Sequence, residues 1–169
     1  MTDIIGIHWH EDADSIVTLT IDDPTGEANI MNELFDNALA ATVTKLKAEK
    51  ARIKGVIVTS AKKTFFAGGD LTALIQAKPE HVPLFEAKLT VMKAQLRALE
   101  TLGKPVVAAM NGTALGGGLE IALACHHRIA LNNPKAEFGL PEVSLGLLPG
   151  AGGVVRTVRM LGIQNALMN

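Results

Sequence analysis

Two glutamates and two glycine-bearing loops have the residue types and spacing from which chemistry could be built. Gly116, Gly117 and Gly118 lie between an apolar run at 106–110 and a helix start at 119–124. Glycine there leaves backbone N–H groups uncovered by side chains, at the positive end of a helix dipole. Such a junction can bind an anion, or a carbonyl oxygen that becomes one during reaction. Glu120 falls in the first helical turn beside it. A second loop, Ala67-Gly68-Gly69-Asp70, repeats the logic of strand, glycine turn and helix start. If the two turns face one another, each could give one N–H to the same oxygen. Losing one such donor typically costs about 10²–10³ in rate. Glu142 follows Leu140-Pro141, where no helical surface accounts for a charge. Two glutamates flanking one water could serve as base and acid, one taking a proton from the water and the other delivering one to carbon. Carboxylates that close raise each other's pKa and can share one proton. On spacing alone, the same glycines also suit tight turns or close helix packing, and the same glutamates suit a solvated surface.

Positioning these groups requires the elements around them. Residues 4–10 and 15–21 alternate apolar and polar positions and predict a hairpin closed through 11–14. Residues 22–29, DDPTGEAN, form a loop rich in turn residues, with Asp22-Asp23 expected at a solvated end. Asn32 can cap a helix to about Lys50. Residues 55–60 predict a buried strand and 71–76 a short helix. Pro79 opens a longer helix to about Thr101, with Val82, Phe85, Leu89, Met92, Leu96 and Leu99 on one face. A strand at 106–110 follows, then the glycine junction, a strand at 127–131 and a mostly irregular stretch at 141–153. Residues 153–161 predict a helix with Arg156 and Arg159 toward its exposed side. The methionines read as core. The alternation favours one α/β domain with crossover connections, without internal repeat or linker.

Composition bounds the alternatives. With 169 residues, 48% apolar and 20% charged, the chain can bury a core of its own. A net charge of −1 gives no electrostatic reason to expect a nucleic-acid partner. No apolar run is long enough to span a membrane, and the acidic N-terminus is unlike a signal peptide. The single Cys125 excludes an internal disulfide and suits a reducing cytoplasm; it reads as a buried thiol without a local base. His126-His127 cannot both face one metal, and no ligand cluster is spaced for one. A P-loop fails because Gly118-Leu119 stands where Lys-Ser/Thr belongs, and G-x-A-x-x-G at 112–117 is an imperfect, mid-chain dinucleotide fingerprint.

The assembled stretches resemble the enoyl-CoA hydratase/isomerase (crotonase) family. They are Asp22-Asp23-Pro24 with Asn29-Ile30-Met31-Asn32, FFAGGDL at 65–71, KPVVAAMNGTALGGGLE at 104–120, FGLPE at 138–142, and Leu145-Gly146 through PGAGG at 149–153. They occur in the family's order over nearly the whole chain. FFAGGDL and GGGLEIALACHHRIA look most like the hydratase part of the α-subunit of bacterial fatty-acid oxidation complexes. The resemblance implies an α/β spiral of repeated ββα turns acting on acyl-CoA thioesters without a metal or redox cofactor. It assigns the thioester oxygen to the N–H groups of Gly69 and Gly117. Glu120 would activate water and Glu142 would protonate the α-carbon. Ala28, Ala67, Asp70, Leu71, Gly116, Pro141 and Gly150 match positions near CoA or the acyl chain, Asp70 as a buttress of its loop. Two glutamates favour hydration of a 2-enoyl-CoA over isomerisation. A non-catalytic acyl-CoA-binding or assembly fragment is the alternative from another class. Residues 1–169 would be an N-terminal crotonase core that stops before the family's C-terminal helices. Completed, it is expected as a homo-oligomer, a trimer in the family, with a thiolase partner in the multienzyme setting.

Overall fold

A computed structural model describes residues 4–168. The main sheet has β1 (Ile7–Glu11), β2 (Ile16–Ile21), β3 (Gly55–Ser60), β4 (Val106–Met110) and the strand two places later, β6 (His127–Ala130), in that spatial order. β1 pairs antiparallel with β2, and every later pairing is parallel. The parallel strands are joined by crossovers that carry helices α1 (Glu33–Glu49), α2 (Leu71–Ile75), α3 (Val82–Glu100) and α4 (Gly117–Leu123).

A second ladder runs alongside. Met31 bridges Gly69, Phe66 bridges Ala114, and β5 (Ala114–Leu115) pairs parallel with β7 (Phe138–Gly139). Each turn of the chain thus places one strand in the main sheet and a shorter segment in the second ladder before its helix. This is the expected spiral of ββα turns. The pieces of the second ladder are too short to leave a periodic signal, which is why the sequence shows them only as loops.

The first hairpin departs from expectation. Its first strand begins at Ile7, because Gly6 takes φ +97° in a turn and Ile5 is left 69% exposed. Asn32 does cap α1, accepting the Phe35 N–H. Only Met92, Leu96 and Leu99 of the α3 stripe are buried; Val82 and Leu89 are exposed, and Phe85 and Leu89 line a cleft. Met160 and Met168 are also exposed, so the methionines are only partly core. Residues 141–145 form a 3-10 turn within the stretch expected to be irregular. The following helices are α5 (Gly153–Leu161) and α6 (Ile163–Met168).

Two charged groups expected at the surface are buried. Asp23 accepts from the Thr25 N–H and hydroxyl and from the Asn32 amide. Beside it the buried Asn29 accepts the Asp23 N–H and donates to Ile21 O and to the Ser60 hydroxyl. The 22–29 loop is therefore pinned to β2 and β3 by internal hydrogen bonds, not left as a solvated end. Arg156 is the second, buried between α5 and α3, where Glu100 receives it.

Candidate active site

The two glycine loops are built against each other. Phe65 and Phe66 are fully buried below the first, and Phe66 meets Phe35 edge to face at 4.8 Å between ring centres. Above them Ala67 donates to Asn29 O and Gly68 O accepts the Met31 N–H, both at 2.8 Å. Gly68 has φ +103°, which a side chain rarely tolerates. The second loop leaves β5 through Gly116, whose N–H is taken by Gly139 O at 2.9 Å. A Cβ on Gly116 would lie 3.7 Å from Gly68 Cα, so the turns are in contact. A Cβ on Gly118 would lie 2.5 Å from Phe66 O, so only glycine lets α4 start this close to the first loop. Among the described residues, no hydrogen bond engages the N–H of Gly69 or that of Gly117.

Glu120, on the first turn of α4, is only 2% exposed. Its Oε1 accepts the Gly153 N–H at 2.7 Å. Burial pushes its carboxyl above the ordinary glutamate range; the neighbouring Glu142 charge adds to this, while the Gly153 and Ala151 amides and Arg156 pull the other way. Glu142 stands on the 3-10 turn Pro141–Leu145, with Oε1 3.0 Å from where a Gly116 Cβ would be. Its Oε2 is buried and unpartnered among the described residues. An unmatched buried acceptor of this kind invites a water or a proton.

Glu120's displacement has a consequence for stability. A carboxyl whose folded value lies above its unfolded one contributes stability below the unfolded value and loses it as pH rises through the folded value. Glu120→Gln removes that loss but can still accept from Gly153. The variant should therefore melt above the wild type at neutral pH. The gap should close as pH falls below the ordinary value of 4.5. Thermal melts across pH 3–8, a range chosen to span roughly the carboxylate titration, check this sign.

A cleft of about 590 Å³ opens over these groups. Gly69, Gly117, Glu120 and Glu142 line it, and so do Ala67, Asp70, Leu71, Gly116, Pro141 and Gly150. Asp70 caps α2, accepting from the Thr72 and Ala73 N–H groups, so it is committed to holding its loop. Ala28 is the exception. It is half-buried in the pinned 22–29 loop and does not line the cleft. Sequence reasoning missed Met31, whose methyl sits 2.7 Å from a Gly117 Cβ position, and Asp36, one turn beyond the Asn32 cap and half-buried at the cleft wall. It missed Gly153 as a partner of Glu120 too; its place in PGAGG was the available signal. Cys125 is buried and its thiol is pushed up to about 12 by burial, a poor nucleophile. His126 accepts the Val106 N–H through Nδ1, a structural contact. Among the described residues there is no group of His, Cys, Asp and Glu that could hold a metal ion, and no helix is long and apolar enough to cross a membrane.

Comparison with known proteins gives these features a lineage. The chain is 44% identical over 157 residues to the fatty acid oxidation complex subunit alpha of Shewanella frigidimarina, and 41% identical to that of Shewanella halifaxensis. Each alignment covers 91% of this chain but only 21% and 22% of those proteins, so the chain spans about a fifth of their length. Among solved structures, an enoyl-CoA hydratase from Bacillus anthracis superposes with a TM-score of 0.84 at 32% identity, covering 96% of this chain and 61% of that one. Another, from Geobacillus kaustophilus, gives 0.86 at 30% identity, covering 99% and 61%. The model of the enoyl-CoA hydratase/isomerase family matches residues 11–168. With the family's motifs spread across the same residues that build the cleft, the chain belongs to the enoyl-CoA hydratase/isomerase family.

Proposed function

We propose that this chain is the catalytic core of an enoyl-CoA hydratase of fatty-acid β-oxidation, adding water to a 2-trans-enoyl-CoA to give the 3-hydroxyacyl-CoA. One observation carries the reading: two carboxyls and two backbone N–H groups that are unpaired among the described residues line the same cleft. The names of the Shewanella relatives support the setting in fatty-acid oxidation. A cytoplasmic location, homo-oligomeric assembly and a thiolase partner belong to the same proposal.

Water adds to the β-carbon only if negative charge can collect on the thioester oxygen. The Gly69 and Gly117 N–H groups stabilise that enolate more than the ground state, because they are fixed by their turns and, among the described residues, engaged by no other acceptor. Glu120 takes a proton from water as the new C–O bond forms, and the π electrons move to the thioester oxygen. Glu142 delivers the one proton that the carboxyl pair shares to the α-carbon as the enolate collapses. A net water is added, and one proton then passes from Glu120 back to Glu142 through solvent or the pair itself. Burial that raises Glu120 suits a base working near neutral pH. Proton transfers and fixed dipoles supply every step, so the reaction calls for no metal or redox cofactor.

The test is to give the protein 2-trans-enoyl-CoA and 3-enoyl-CoA separately. Hydration predicts loss of the conjugated-thioester absorbance with the first and a product heavier by one water. Turnover of the 3-enoyl thioester alone would replace hydration with isomerisation, and binding without either would make the cleft a non-catalytic acyl-CoA site.

A further inference from the structure

Arg156 does not line the cleft, yet it is a buried cation held at two of its nitrogens. It is 9% exposed on α5. Its Nε lies 2.5 Å from Glu100 Oε1 at the end of α3, and its Nη1 donates to Ala151 O at 2.8 Å. Glu100 is itself braced by Arg97 at 2.9 Å. The guanidinium packs over a turn that could not form with a side chain beneath it. Gly152 has φ +100°, and a Cβ there would lie 2.6 Å from Nη1. The next residue, Gly153, gives its N–H to Glu120, and a Cβ on it would lie 2.9 Å from Glu120 Cγ.

We infer that Arg156, held by Glu100, is a positioning residue for Glu120, fixing the 151–153 turn so that the Gly153 N–H grips one carboxylate oxygen. The inference rests on the reading of Glu120 as the base. Two charged groups act on Glu120, Glu142 from the 3-10 turn and Arg156 from α5; Arg128 of β6 is spent on Ala122 O and Cys125 O at the far end of α4. The planar fork of arginine serves Glu100 and Ala151 O together, whereas a lysine ammonium keeps the charge but not that geometry. Removing Arg156 takes a cation and an ordered amide away from the Glu120 carboxylate at once. Both losses disfavour its ionised form.

The experiment titrates Glu120 in full-length protein by NMR of carboxyl-¹³C glutamate, assigned with Glu120→Gln, in wild type, Arg156→Lys and Arg156→Met. The midpoint should move to higher pH in the order wild type, Arg156→Lys, Arg156→Met. The acid limb of kcat should follow it, with kcat about 10²-fold lower in Arg156→Met and KM little changed, as for a misplaced catalytic group. If Arg156→Met fails to fold, Arg156→Lys carries the comparison. An unmoved midpoint in folded Arg156→Lys would overturn the inference. Absence of hydration by the wild type would overturn the hydratase reading alone, since the titration still decides whether Arg156 sets Glu120.

Discussion

Glu120→Gln and Glu142→Gln should each lower hydration turnover by about 10²–10⁴-fold, the usual contribution of one positioned acid or base, with KM for the enoyl thioester close to wild type. Neither change alters the shape of the cleft. Glutamine at 120 can still accept the Gly153 N–H that holds Glu120 Oε1 at 2.7 Å. Only the proton inventory differs, and protons matter at the transition state, so the loss belongs in kcat. The double variant should be little worse than either single one, because a base without its acid completes no turnover. Steady-state kinetics of the four proteins checks both statements. Two additive losses would mean that the carboxyls work independently.

The second large effect is expected from the backbone. Replacing the Gly69 or Gly117 amide by an ester, through glycolic acid introduced by protein semisynthesis, deletes one N–H and leaves every side chain in place. Each replacement should cost about 10²–10³ in kcat, or about 2.7–4 kcal/mol of transition-state stabilisation. The folded state should hardly notice, since among the described residues neither N–H is engaged in the resting protein. A side-chain substitution is a poorer probe here. At Gly117 a Cβ would push on Met31 at 2.7 Å, mixing packing with chemistry. Single-turnover rates of the ester variants beside their melting curves separate the two.

Much of this was legible in the residues themselves. The Asn32 cap, the apolar run before Asn111-Gly112 and the glycines that open α4 are local features, and local features survive folding with little revision. What escaped were arrangements made by distant partners. Arg156 has the spacing of an exposed helix position, but Glu100, 56 residues earlier, draws it inside. Asp23 reads as solvated because its partners, the cap residue Asn32 and the loop residue Thr25, reach its carboxylate only in the folded chain. The α3 stripe has helical spacing along its whole length, yet spacing cannot tell a sheet from an open cleft as the surface it faces. Ala28, matched by motif to a position near CoA or the acyl chain, lies outside the cleft lining in a loop that the hydrogen bonds of neighbouring Asn29 hold against the sheet.

The central claim is that two amides in one cleft receive the carbonyl oxygen of a thioester. Difference infrared spectroscopy of a ¹³C=O-labelled 2-enoyl-CoA bound to the Glu120→Gln variant, expected to consume it about 10²–10⁴-fold more slowly, measures this directly. The labelled carbonyl band should fall in frequency on binding, and should recover part of that fall when either the Gly69 or the Gly117 amide is replaced by an ester. A band that binds unshifted, or that ignores both replacements, would contradict the account.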